Sequence, residues 1–338
     1  MKKILCLGIE STAHTFGCSV VEFDGKKFNV LSNVRDMLKT EKGGLVPVQI
    51  SEHHLAVFDT VIAQALEKSN KKIEDINLIA FSQGPGIGHA LRIGSVAARS
   101  LALQLKLPLI GVNHCVAHLE IATIYNSKDP VLLYASGANT QVIAYDGGKY
   151  RVFGETLDTG IGNFLDTFAR DLGLGFPGGP IIDQMAQRAK ERNNFTELPY
   201  QVKGMDVSFS GIHTYVRKIL KENKLTQEQI EDLCYSVQET VFAMLIEVSE
   251  RAMAHCEKNE LVLGGGVACN TRLREMAQIM CKERNAKCII PENQYLVDNA
   301  AMIGLLGIKM YNAKNITRVE NSKINPYERT DDIKVNWK

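Results

Sequence analysis

Two distant stretches of this chain follow one plan. An apolar run in KKILCLGIEST (residues 2–12) ends in small polar residues, and FGCSVVEFDG and KFNVLSNVRDM follow it as two further strand-like runs joined at DGK. After residue 130 the plan begins again. PVLLYASGANT is an apolar run into a small polar turn, and QVIAYDGGKYRVFGETLD holds two more strands around DGGK. Each triplet reads as a β-meander, because β-branched and aromatic runs bounded by Gly and Asp favour strands joined by tight turns. Strands alternating with helices then follow: INLIAFS, GPGIGHALRIGSVAARSLALQL and LPLIGVNH in the first half, and ELVLGGGVACN, AKCIIPENQ and VDNAAMIGLLGIKMY in the second. A repeated plan of this kind predicts a duplicated, two-lobed α/β fold. The boundary falls near 128–131, at SKDP. That puts a first lobe at 1–130 and opens the second at 131. SEHHLAVFDTVIAQALEKSN has helical periodicity with Ser51 as its N-cap. GMDVSFSGIHT (204–214) reads as a polar loop, and the tail from about 315 as a surface wrap.

Composition removes several classes of function. With 338 residues and 45% hydrophobic content, the chain can bury a core of ordinary size without staples. A net charge of +1 does not advertise nucleic-acid binding, so any RNA would be held by a local patch or through basic partners. None of the eight cysteines forms a C-x-x-C pair, which argues against a zinc ribbon or a thioredoxin-type site and fits a reducing cytosol. The N-terminal apolar run is too short for a signal peptide and reads as a first strand. No stretch approaches the ~18–20 apolar residues of a membrane span. A cytoplasmic protein with no membrane role is expected.

The chemistry concentrates in a few motifs. In NHCVAHLE (113–120), His114 and His118 lie four apart, so on a helix both rings leave one face. They follow a strand, where α/β proteins place ligands. A zinc protease would carry a glutamate after the first histidine, and Cys115 stands there instead. Two histidines need at least one further ligand, commonly a carboxylate. YLVDNAAMI offers Asp298, although spacing alone reads that residue as a helix N-cap. FSQGPGIGHALRIG lacks the G-x-G-x-x-G spacing and the ribose-binding acid of a dinucleotide site, and reads as a tight turn. Three turns, GIESTAHT, YASGANT and LGGGVACN, follow apolar strands at equivalent points of the repeat. Their backbone N–H groups suit phosphate, which suggests a nucleotide held between the lobes. In GETLDTGIGNFLDTFARDLGLGFPGGPIID (154–183), Asp158, Asp166 and Asp183 could bind a ribose or a cation, or serve as caps and surface charges.

Taken together, GIESTAHT, FSQGPGIG, GVNHCVAH, YASGANTQ, GETLDTGIGNFLDTFAR, PGGP, DVSFSGI and NTRLREM resemble the universal tRNA threonylcarbamoyladenosine synthase family. The closer resemblance is to its archaeal and eukaryotic branch, the catalytic subunit of the KEOPS complex, over roughly residues 4–310. The resemblance implies the actin/sugar-kinase/Hsp70-like (ASKHA) fold, with its nucleotide cleft between two lobes, an N-terminal lobe over 1–130 and a C-terminal lobe over 131–296, and with a C-terminal helix, about 297–330, that rejoins the first lobe. It also implies one divalent metal ion, iron or zinc, on His114, His118 and Asp298, with Tyr134 joining the metal or the substrate. Tyr134, Ala135, Ser136, Gly137 and Ala138 match the phosphate-side loop, and Asp166, Gly179, Asp183 and Asn270 the remaining nucleotide contacts. Glu10 stands where sugar kinases keep a metal-linked aspartate, and Glu10 and Tyr134 are the catalytic candidates.

The implied reaction is acyl transfer. The threonylcarbamoyl group of threonylcarbamoyl-AMP, in which the adenine nucleotide is part of the substrate, passes to the exocyclic amine of the adenosine 3′ of the anticodon in tRNAs that read A-starting codons. The implied partners are tRNA and the other KEOPS subunits, including a small protein kinase. The near-neutral charge adds the expectation that the chain alone binds tRNA weakly. Three departures stand out: Ala138 replaces the second glycine of S-G-G-N-T, Asp183 stands where glutamate is common, and Val48 and Gln49 replace an arginine and an acid. A sugar or acetate kinase and a non-catalytic nucleotide-binding scaffold are the alternatives, and neither requires the histidine pair.

Overall fold

The computed structural model of the protein describes residues 3–39 and 46–338, so the start of the GGLVPVQISEHH stretch lies outside the described residues. The first half contains β1 (Ile4–Glu10), β2 (Thr15–Phe23), β3 (Phe28–Met37), α1 (Pro47–Lys68), β4 (Leu78–Gly84), α2 (Gly88–Leu105), β5 (Leu109–Asn113) and α3 (His114–Glu120). The second half opens with β6 (Val131–Ala135), β7 (Thr140–Asp146), β8 (Lys149–Glu155), α4 (Ile161–Asp171) and α5 (Gly178–Ala189). A short hairpin, β9 (Val202–Lys203) and β10 (Asp206–Val207), precedes α6 (Ser210–Glu222) and α7 (Gln227–His255). Then come β11 (Glu260–Gly264), α8 (Thr271–Glu283), β12 (Lys287–Ile289), α9 (Asn293–Leu296) and α10 (Ala300–Asn312).

Two five-stranded mixed sheets result, with strand orders β3-β2-β1-β4-β5 and β12-β11-β6-β7-β8. Read from the opposite edge, the second order repeats the first. In each sheet the opening strand pairs antiparallel with the meander on one side and parallel with a later strand on the other. The duplication seen in the sequence is therefore a duplication of topology.

The central strands are buried on both faces, which is why their sequences are nearly continuous apolar runs. Along β1, Leu5, Leu7 and Ile9 pack with Val61 and Ala65 of α1 and Ala98 of α2, whereas Ile4 and Cys6 join Ile303 and Leu306 of α10 on the other face. At Gly8 the approach of α10 is so close that a Cβ would lie 2.4 Å from the Ala300 carbonyl oxygen. The cluster around α10 also takes in Val116 of α3, Leu132 and Tyr134 of β6 and Val262 of β11. The two sheets thus share a middle layer made of α3 and α10, and that layer carries the candidate site. The outer face of the second sheet packs on α4, α7 and α8.

Three local expectations change. Ser51 does not cap α1; Val46 stands at the N-cap and Pro47, whose missing N–H costs nothing in a first turn, opens the helix five residues earlier than a Ser51 cap would. GMDVSFSGIHT is not one loop: Gly204 and Met205 turn the β9–β10 hairpin, Asp206 and Val207 form β10, and Asp158 accepts from the N–H groups of Phe209 (3.1 and 3.0 Å) and Ser210 (2.9 Å) and starts α6 there. The last helix ends at Asn312, and the tail beyond it runs across both sheets, from β5 (Thr317 N–H to Leu109 O, 2.8 Å) to β8 (Val152 N–H to Asp331 Oδ1, 2.9 Å). Elsewhere α1 and α2 leave an open apolar groove lined by Leu55, Phe58, Ile62 and Val96. No helix among the described residues is long and apolar enough to cross a membrane.

Candidate active site

The functional candidates gather at the carboxyl ends of parallel strands, the position at which open α/β sheets offer backbone and side chains to a ligand. Glu10 ends β1, Asn113 ends β5, Tyr134 is next to last in β6, and Gly264 ends β11. Asn113 starts α3: its Oδ1 accepts the Val116 N–H at 3.0 Å. One helical turn then stacks His114 and His118, with ring centroids 4.8 Å apart. The acid comes from the turn before α10. Spacing alone assigned the cap of α10 to Asp298, but Asn299 takes that role, accepting the Met302 N–H at 3.1 Å. Asp298 is left free to point inward, and its Oδ1 lies 3.3 Å from His114 Nε2 and 3.7 Å from His118 Nε2. One ligand atom from each of the three residues fits within 4.8 Å of the others.

Behind His114 stands Glu10, fully buried. Its Oε2 lies 3.0 Å from His114 Nδ1, and its Oε1 accepts the Thr12 N–H at 2.6 Å and the Thr12 hydroxyl. With a carboxylate on Nδ1, that nitrogen holds its proton and Nε2 faces Asp298 and the Tyr134 hydroxyl, 3.1 Å away. The Tyr134 ring also lies against His118, centroid to centroid at 4.7 Å. Burial opposes charge on His114, but the surrounding Tyr134, Glu10 and Asp298 outweigh it and hold its pKa well above the usual imidazole value. Burial lowers the pKa of His118, with the neighbouring His114 charge adding to it, while burial also pushes the Tyr134 phenol up. Asp298 resists burial because both histidines hold its carboxyl well below the ordinary range.

The residues present fit a bound cation. Both ring nitrogens of His118 are buried with no hydrogen-bond partner among the described residues, and 3.7 Å to Asp298 is too long for one. A buried imidazole left unpaired is costly, and a cation accepting its lone pair satisfies one of the two nitrogens. Two imidazoles, a carboxylate and an adjacent phenol suit a borderline divalent ion such as iron or zinc. Glu10 stands behind His114 where a carboxylate behind a ligating histidine would fix its tautomer.

Tyr134 leads directly into the turn Ala135, Ser136, Gly137, Ala138. Ser136 closes this turn through its N–H (2.9 Å) and hydroxyl (3.0 Å) to the Asn139 carbonyl. Glycines grip it from two sides: a Cβ on Gly160 would lie 2.4 Å from Gly137 O, and one on Gly265, whose φ is +89°, would lie 2.2 Å from Ala135 O. The YASGANT and LGGGVACN turns are therefore in contact, whereas GIESTAHT serves the histidines through Glu10 and Thr12. Asp166 accepts the Gly178 N–H at 2.7 Å beside Gly179, where a Cβ would meet nothing nearer than 4.0 Å. Asn270 caps α8 through the Arg272 N–H (2.8 Å) and donates to Gln238 Oε1 at 2.8 Å. Asp183 lies beside Asn270 and Gln238, and burial raises its pKa; its Oδ1 is buried with no partner among the described residues. Sequence reasoning passed over Thr12, Asn113 and Gln238. The first two lie inside motifs it had quoted, GIESTAHT and NHCVAHLE, without being given a role; Gln238 lies inside a long helix and carries no local signal.

Comparison with known proteins now adds a name to this arrangement. The family model for tRNA N6-adenosine threonylcarbamoyltransferase (TsaD) matches residues 29–305. The tRNA N6-adenosine threonylcarbamoyltransferase of Thermococcus kodakarensis is 50% identical over 334 residues, 99% of this chain and 100% of that protein. A Methanosarcina mazei protein named "Probable bifunctional tRNA threonylcarbamoyladenosine biosynthesis protein" is 49% identical across 100% of this chain, which spans 60% of that longer protein. Among solved structures, T. kodakarensis HypF superposes with a TM-score of 0.61 at 13% identity, covering 91% of this chain and 48% of HypF. The activator of 2-hydroxyisocaproyl-CoA dehydratase from Clostridium difficile gives 0.52 at 14% identity over 92% and 97%. These two distant likenesses show the fold alone. Fold and site define a duplicated α/β protein with a His–His–Asp cluster where its two sheets meet. The chain belongs to the tRNA N6-adenosine threonylcarbamoyltransferase family.

Proposed function

We propose that the chain transfers the threonylcarbamoyl group of threonylcarbamoyl-AMP to the N6 amine of the adenosine 3′ of the anticodon in tRNAs that read A-starting codons. Family membership supports the reaction class. The observation that carries the site is the meeting of His114, His118 and Asp298 within 4.8 Å beside Tyr134, whose strand runs on into the glycine-gripped turn.

In this reading the two lobes are 1–130, rejoined by α10 and the tail, and 131–296, with the adenylate between them. His114, His118 and Asp298, with Tyr134 adjacent, would hold a divalent metal, which supplies Lewis-acid polarisation of the substrate's carbonyl and fixes the reacting group. The turn Ala135, Ser136, Gly137, Ala138 lies at the phosphate and presents the backbone N–H groups of Gly137 and Ala138 to it, the Ser136 N–H being held by Asn139 O. Asp183, whose Oδ1 has no partner among the described residues, and Asn270 bind the ribose, and Asp166 and Gly179 supply the remaining nucleotide contacts. Glu10 keeps the proton on His114 Nδ1. The N6 amine attacks the carbamoyl carbon, a C–N bond forms, the bond from that carbon to the phosphate oxygen breaks, and AMP departs. The amine proton leaves to AMP or solvent. The leaving group is already activated, so a strong general base is not required.

Work alongside partner subunits, a small protein kinase among them, is part of the proposal. It is supported by the bifunctional name of the longer Methanosarcina relative, by the near-neutral charge and by the exposed apolar groove between α1 and α2. A cytoplasmic setting accords with eight free thiols. The test is transfer to cognate tRNA from supplied adenylate, with partner subunits, before and after chelation and metal add-back. Activity should vanish with chelation and in the His114→Ala, His118→Ala double variant, and return to the wild type with metal. Full transfer by the double variant would overturn the assignment.

A further inference from the structure

The C-terminal tail crosses the molecule at the foot of the helix that carries both histidines. Gln83, near the end of β4, anchors it. Its side-chain amide donates to the carbonyls of Asn321 (3.2 Å) and Lys323 (2.7 Å), and its backbone carbonyl accepts the Asn325 N–H at 2.8 Å. The Pro326 carbonyl accepts the Gly86 N–H at 3.1 Å, and a tight turn closes from Glu328 N–H to Asn325 O at 3.1 Å. Gly84 makes this seating feasible, since a Cβ there would lie 1.9 Å from the Asn325 oxygen.

The turn delivers one carboxylate inward: Glu328 Oε2 lies 2.9 Å from Asn113 Nδ2. The opposite end of the same amide caps α3 through Val116 N–H. A carboxylate that accepts hydrogen bonds decides which end of an asparagine is NH₂ and which is oxygen. Without it the amide can rotate and present its donor end to the helix, which has no use for one. α3 is seven residues long, too short to hold its own direction, so its cap and its packing set where the histidines aim.

We infer that Glu328 is a positioning residue for the metal-binding pair: by fixing the Asn113 amide it holds the cap of α3, and with it the geometry of His114 and His118. This inference rests on the metal reading above. The test uses the full chain and Co²⁺ as probe, following affinity by calorimetry and site geometry by the visible ligand-field spectrum, with thermal unfolding and tRNA transfer alongside. Glu328→Ala should weaken Co²⁺ binding about tenfold or more and shift the spectrum. Glu328→Gln, whose carbonyl can accept the same N–H, should restore most of both. In an Asn113→Ala background, Glu328→Ala should add nothing further, and this comparison decides the matter if the single variant is poorly stable. Wild-type Co²⁺ affinity and spectrum in Glu328→Ala would overturn the inference, as would additive losses in the double variant. If the wild-type chain bound no Co²⁺, or bound it equally well after His114→Ala, the metal reading itself would fall and this inference with it.

Discussion

Glu10→Gln is nearly isosteric, yet it should disable the site. The Glu10 carboxylate accepts on both oxygens, from Thr12 on one side and from His114 Nδ1, at 3.0 Å, on the other. Glutamine can accept on only one. If its carbonyl keeps the Thr12 N–H, a contact of 2.6 Å that cannot tolerate a second donor, its NH₂ must face His114. Nδ1 then has to accept, and the ring proton moves to Nε2, the nitrogen 3.3 Å from Asp298 that would otherwise offer its lone pair to the metal. Disturbing a partner behind a ligating histidine costs about 10–100-fold in metal affinity, or roughly 1.4–2.7 kcal/mol. Loss of the Glu10 charge also makes the His114 proton easier to displace, which works in the opposite direction. The assay is therefore Co²⁺ titration of wild type and Glu10→Gln across a range of pH, read by calorimetry and by the visible spectrum. The variant should bind more weakly even at alkaline pH, where proton competition has gone. Wild-type affinity and an unchanged spectrum at every pH would refute the tautomer argument.

Other outcomes follow from the same geometry. Gly265→Ala combines a φ of +89° with a Cβ 2.2 Å from the Ala135 oxygen and should lower stability by about 1–3 kcal/mol, visible in thermal unfolding. Gly179→Ala meets no atom nearer than 4.0 Å, so it should leave the melting temperature unchanged while weakening adenylate binding in a titration. Asp183→Asn removes a buried carboxylate oxygen that has no partner among the described residues; unfolding stability should hold or rise while AMP affinity falls about tenfold. His54 is buried on α1, donates to the Ala13 carbonyl at 3.0 Å, and is pushed down by burial to about 4 from 6.5. Its folded value lies below its unfolded one, so the unfolded chain binds the proton first. Stability should be complete above about pH 6.5 and fall by up to about 3 kcal/mol as pH drops toward 4, a slope that His54→Gln should flatten.

Much of the fold was legible because the physics behind it is local. Continuous apolar strands, DGK and DGGK turns and glycine-led helices are properties of short segments, and the repeated meander gave the topology. The histidine pair was equally open, since i and i+4 share a face. What stayed hidden depended on contacts between distant segments. Asp298 and Asn299 are both good caps, and which of them caps α10 and which meets the histidines follows from how α10 packs, close against β1 at Gly8. The start of α6 is set by Asp158, fifty residues earlier, so its sequence looked like a loop. The tail looked like surface wrapping because its polar residues are polar for a reason outside it: Asn325 and Glu328 meet Gln83 and Asn113.

The placement of Tyr134 shows how little separates a core strand from a site strand. Along β6, Val131, Leu133 and Ala135 face the cluster packed on α7, while Leu132 and Tyr134 face the layer of α3 and α10. Side chains on a strand alternate, so a slip of one residue would send Tyr134 into the outer core and set Ala135 beside the histidines. That register is held by pairing on both sides, Tyr134 opposite Gln141 of β7 and opposite Gly264 of β11. Gly264 matters here for what it lacks: a Cβ there would come within 3.7 Å of His118 and 3.0 Å of Leu132. A side chain at Gly264 would therefore press on Leu132, the neighbour of Tyr134, and touch the His118 ring. The hydroxyl of Tyr134 reaches His114, and the backbone that follows it forms the glycine-gripped turn. One strand end thus joins the metal candidates to the phosphate candidates, so a change in the β6 register would disturb both at once, whereas a change in α3 would disturb only the first.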